Sequence, residues 1–132
     1  MQFSKFLRTI LKLDAASCLG MGAAVLLFAG SLSGPLGIGT GILQAAAASL
    51  IPIGLFIAGL ASRRSAPAGL VWLVILGNVG WTAMSFATAS SLPGITPLGQ
   101  AAVAGQALAV LALTISEWVG LRSSQRAIWK AA

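Results

Sequence analysis

Every basic side chain falls on one side of a plan drawn by the apolar runs of this chain, and that asymmetry most narrows what it can fold into. Lys5, Arg8 and Lys12 precede the first run, Arg63 and Arg64 separate the second from the third, and Arg122, Arg126 and Lys130 follow the fourth. The runs cover about 13–32, 40–61, 68–90 and 98–121, each near the ~20 residues that cross a bilayer as a helix. The other two connections, Ser33–Gly39 and Ser91–Pro97, carry no charge and are rich in Gly, Pro and Ser, as turns between helices are. Eight Lys/Arg against none is a positive-inside pattern that places both termini in the cytoplasm. Both termini on one side requires an even number of spans, and four is even. The sequence therefore predicts an all-α, polytopic, up-down four-helix transmembrane bundle forming a single membrane domain.

Composition supports lipid as the surroundings. With 58% hydrophobic and 8% charged residues, the chain falls far short of the ~25% charge of a soluble domain. It also removes chemistries. Without histidine there is no imidazole to ligate a metal or relay a proton. A lone cysteine, Cys18, allows no internal disulfide or thiolate cluster. Asp14 and Glu117 are the only acidic residues, so no metal site or cofactor is expected. Serines and threonines have no His or Asp placed to activate one, which predicts a protein that is not an enzyme. The glycine-rich Gly37–Gly41 segment has no preceding strand or following Lys, so it is no phosphate loop.

The ends of the chain predict two further features. Phe3, Phe6, Leu7 and Ile10 fall at helical spacing opposite Lys5, Arg8 and Lys12, the pattern of an interfacial amphipathic start over residues 1–12. Residues 122–132 read as a basic cytoplasmic tail. The first run is long and interrupted at its start by Asp14, so it is a true span rather than a secretory signal. The basic residues flank spans instead of striping a soluble surface, which predicts anionic lipid headgroups as partner and no nucleic acid.

Helices in lipid associate by close backbone approach. Small residues at Gly20 and Gly22, Ala45–Ala48, Gly77 and Gly80, and Ala101–Gly105 are the expected crossing points. Short connections predict that consecutive helices are antiparallel neighbours. Pro52 predicts a bend in the second helix, its freed carbonyl met by Ser49 or a neighbouring helix.

Polar groups inside the spans are the candidate site residues, because placing them there is costly. Asp14 and Glu117, near the ends of the first and fourth spans, are candidates for ion pairs with Arg8, Lys12, Arg63, Arg64 or Arg122, or for proton coupling. Asn78, Trp81, Thr82 and Ser85 recur at three- and four-residue spacing, and the stripe Gly99, Gln106, Leu113, Glu117 faces inward. Asn78, Trp81 and Gln106 form a predicted polar cluster, either as interhelical hydrogen bonds or as the lining of a cavity for a lipid, quinone or carotenoid. The indole of Trp81 at that depth needs an acceptor, which Asn78 or Gln106 supplies.

Leu13-Asp14-Ala15-Ala16, Asn78-x-x-Trp81, Gln106-Ala107 and Glu117-x-x-Gly-Leu-Arg122 together resemble a class of short bacterial four-helix integral membrane proteins that has no assigned activity. The resemblance covers nearly the whole chain and implies a bacterial inner membrane. Small multidrug-resistance exporters share four short helices and an acidic residue in the first, but their weak charge bias contrasts with the single orientation fixed here. Three functions remain open at this point. They are an oligomeric or accessory subunit of a membrane complex, a small-solute or proton-linked transporter or channel using Asp14 and Glu117, and a binder of a hydrophobic ligand.

Overall fold

In a computed structural model describing residues 1–132, the apolar runs become four helices: α1 (Lys5–Leu36), α2 (Thr40–Ser62), α3 (Ala68–Ser91) and α4 (Pro97–Ala131). Each is long and apolar enough to cross a membrane. The mid-span side chains that point outward are large and apolar, including Leu27, Leu55, Leu76, Met84 and Leu108. That surface suits hydrocarbon, since a water-facing monomer rarely exposes so continuous an apolar patch.

Local signals set the helix ends. Ser4 caps α1 by accepting from the Leu7 N–H, and its own N–H donates to Ser124 Oγ at 3.0 Å, tying α1 to α4. Gly37 ends α1 at φ 66°, the left-handed conformation that favours glycine. Its N–H reaches Gly34 O, and the Ile38 N–H reaches Ser33 O, so the last carbonyls of α1 are satisfied by a Schellman motif. The helix thus continues through Pro35, and the expected turn Ser33–Gly39 shrinks to Gly37–Gly39. Thr96 caps α4 and, from the other turn, donates its hydroxyl to Pro35 O at 2.7 Å and its N–H to Leu36 O at 3.1 Å.

The helices run up and down, so all eight basic residues gather at one end. α1 packs against α2 and α4, and α4 against α3, while α2 and α3 leave a gap between their backbones. Adjacency of every consecutive pair therefore fails at this seam. Bulky groups face across it, with Ile53 and Phe56 on α2 and Leu73 and Trp81 on α3. By contrast, glycines permit close approach between α1 and α2. A Cβ on Gly22 would meet Ala47 O at 3.0 Å, and one on Gly54 would meet Leu19 Cγ at 2.8 Å. Gly20, Gly77, Gly80 and Gly105, also expected at crossings, have nothing within that reach.

Residues 1–12 do not form a separate interfacial segment. From Lys5 they belong to α1, and Leu7 and Leu11 are fully buried. The reason is α4, which sets Gly120 against the Leu7 backbone and, continuing as helix into the expected tail, brings Ser124 Oγ to the Ser4 N–H. Protein covers Phe3 and Leu7 of that apolar face, while Phe6 stays exposed. The main core lies toward the basic end, built around Leu7, Leu11, Ile57, Val71 and Leu121. α2 passes through Pro52 as one helix, and Ser49 donates to Ala46 O instead of meeting the carbonyl that Pro52 leaves free.

Candidate functional site: a carboxylate–amide cluster

Three polar residues lie on the inward stripes of three helices. Asp14 continues the buried row Leu7, Leu11, Cys18 of α1. Asn78 continues Val71, Val74, Ile75 of α3, and Glu117 lies between Thr114 and Leu121 on α4. These three- and four-residue intervals hold one face of a helix toward the core. Asp14 and Asn78 also sit at matching heights, about 14 and 15 Å along their helices at 1.5 Å per residue.

Their side chains converge. Asn78 Nδ2 donates to Asp14 Oδ2 at 2.9 Å and to Glu117 Oε2 at 3.2 Å. Asp14 is 1% exposed and Glu117 0%, so neither reaches headgroup water. The Cys18 thiol lies 3.8 Å from Asp14 Oδ1 as a weak donor, and Glu117 Oε1 has no partner. None of the four carboxylate oxygens accepts from a basic side chain, so the expected ion pairs do not form. The nearest arginines in sequence are engaged elsewhere. Arg8 Nε donates to Ala61 O at 3.4 Å, and the Arg122 guanidinium stacks 4.5 Å above the Trp118 ring. The remaining basic residues, Lys5, Lys12, Arg63, Arg64, Arg126 and Lys130, are exposed.

The grouping of Asn78, Trp81 and Gln106 divides in two. Trp81 Nε1 donates to Gln106 Oε1 at 3.0 Å, and Gln106 Nε2 donates to Ser85 Oγ at 2.8 Å, linking α3 to α4. Gln106 is thus the acceptor for the indole. Asn78 belongs to the carboxylates instead, a link absent from the sequence reading although the matching heights of Asp14 and Asn78 pointed toward it. Thr82 Oγ1, one turn beyond Asn78, is buried without a partner.

Asn78 and Cys18 also form part of the wall of the α2–α3 gap, an apolar cleft of about 390 Å³. A second space of about 440 Å³ continues it toward Ile38 and Thr88, and Leu50 and Trp81 line both. Asn78 and Cys18 thus give the cluster a face on the cleft, though neither carboxylate lines it, and Leu7, Leu11 and Leu121 pack toward the basic end. No three His, Cys, Asp or Glu side chains are grouped to hold a metal ion. What the cluster offers is a pair of buried carboxyl groups bridged by one amide.

These features define a multi-pass four-helix membrane architecture with a buried acidic pair. Comparisons with protein families, curated proteins and solved structures gave no match.

Proposed function

We propose that this protein is a small, non-enzymatic membrane carrier or channel in which Asp14, Asn78 and Glu117 bind a proton or another monovalent cation during passage of a small solute. The observation that carries this reading is the single Asn78 amide nitrogen donating to both carboxylates. Two carboxylates on one donor repel each other, and their burial removes the water that would screen them. One neutral amide does not balance two negative charges, and the fixed cations lie elsewhere. A mobile cation offsets the charge, and ionisable groups inside a membrane commonly mark ion or proton pathways.

The basic end supports a bacterial inner-membrane orientation with both termini cytoplasmic, because eight Lys/Arg on one side is the usual inward bias. The test is flux. Vesicles containing the protein should show cation-gradient-dependent uptake or leak that Asp14→Asn and Glu117→Gln each reduce at least tenfold. Unchanged flux in both variants, or none above protein-free vesicles, overturns the reading.

A second reading, assembly as a homo-oligomer or an accessory subunit, is favoured by Gly80 and Gly105. A Cβ added at either exposed position would meet nothing of the chain within 4 Å, and such small residues let helices of separate chains approach closely. Mass measurement in mild detergent distinguishes a monomer from an assembly.

A further inference from the structure

The gap between α2 and α3 is as notable as the acidic pair, and what fills it does not depend on the ion-binding reading. Its walls include Leu50, Ile53, Phe56, Leu73, Gly77 and Trp81. The two spaces, about 390 and 440 Å³, fall in the range of small-molecule sites. A flexible hydrocarbon chain, which takes the shape of the walls it lies against, suits an apolar cleft of this kind.

Six residues past Ile57, the last α2 residue to line the cleft, and about 9 Å further along the helix, the chain reaches two arginines. The connection Arg63–Pro67 joins the two walls, and both its arginines are exposed. This connection is held in place by the N-terminal residues. Phe3 N–H donates to Arg64 O at 2.9 Å, Ala66 N–H donates to Met1 O at 3.1 Å, and Gln2 pairs with Ser65. Two exposed arginines are thus carried by a connection tied to the N-terminal residues, on the side of the cleft that the charge bias assigns to a membrane surface.

We infer that the α2–α3 cleft is a binding site for an anionic lipid, one acyl chain lying along Phe56, Gly77 and Trp81 and the headgroup held by Arg63 and Arg64. Arginine suits this role, since its planar fork matches phosphate oxygens. The chain shields the cleft face of Asn78 from the bilayer, and the headgroup neutralises the exposed arginine pair.

The probe is phosphatidylglycerol against phosphatidylcholine, mixed equally in nanodiscs, with native mass spectrometry reading the lipid that stays on the released protein. Wild type should retain one phosphatidylglycerol in preference to phosphatidylcholine. Arg63→Ala/Arg64→Ala should reduce that preference by about 25-fold, at about fivefold for each basic residue near an anionic group. Arg122→Ala/Arg126→Ala, on α4, should leave it unchanged. Gly77→Leu fills the cleft where a Cβ meets nothing within 4 Å, and should abolish retention while circular dichroism stays helical. Wild type retaining no lipid, or both lipids equally, overturns the inference, and so does equal loss in the two arginine double variants. If Gly77→Leu does not fold, the wild-type ratio and the surface arginine variants still decide.

Discussion

At the scale of single residues, Asn78 joins the two buried carboxyl groups of the protein. Leucine at that position would leave Asp14 Oδ2 and Glu117 Oε2 without their donor. A buried polar group that loses its partner costs about 1–3 kcal/mol, more when charged. Asn78→Leu should therefore lower stability by about 2–4 kcal/mol, read from unfolding in mixed detergent. The triple variant Asp14→Leu/Asn78→Leu/Glu117→Leu should regain most of that loss, because apolar replacement of a whole buried polar group is often neutral or stabilising. A triple variant no more stable than Asn78→Leu would show that the cluster is a structural tie. The sequence marked all three residues as costly, yet it offered Asp14 and Glu117 ion pairs with Arg8, Lys12, Arg63, Arg64 or Arg122, or proton coupling, and grouped Asn78 with Trp81 and Gln106. Partner choice was illegible because a helical stripe gives direction but not which facing stripe it meets. Arg8 and Arg122 found a backbone carbonyl and an indole ring instead.

At the scale of the helices, charge gaps and turn residues located all four spans, with the largest differences at the outer ends of α1 and α4. Those ends looked like surface segments because Lys5, Arg8 and Lys12 alternate with apolar residues. The partner face that buries Leu7 comes from residues more than a hundred positions away, beyond what a local pattern reveals. Small residues were equally ambiguous. Gly22 and Gly80 look alike in sequence, but only Gly22 has a neighbouring backbone against it. Gly22→Leu should destabilise the bundle by about 1–3 kcal/mol, as overpacking does, through displacement of Ala47 and Leu50. Gly105→Leu should change monomer stability by less than about 0.5 kcal/mol, the usual range for a surface site. Thermal unfolding of both variants in one detergent checks this, and equal losses would contradict the packing described for the α1–α2 seam.

For the whole molecule, the four helices form an arc α2–α1–α4–α3 whose unclosed seam is the lipid-facing cleft. The acidic pair sits within the arc, and the basic residues gather toward one end, with Arg8 and Lys12 beside the core residues Leu7 and Leu11 on α1. Single-cysteine variants at Arg64 and Lys130 should react with an impermeant thiol reagent from the same side of the membrane, and one at Gly94 from the other. Arg64 and Lys130 labelling from opposite sides would contradict the up-down order. The number of spans was legible because hydrophobic length acts on the whole chain at once. The open seam was not, since it depends on which side chains hold two helices apart. The claim on which the function rests is that the acidic pair takes up a cation. The most direct measurement is a comparative titration of the purified protein and its Asp14→Asn/Glu117→Gln variant, following bound protons and bound sodium per chain. The account predicts that wild type takes up one more cation per chain than the variant, whereas indistinguishable uptake of both ions would contradict it.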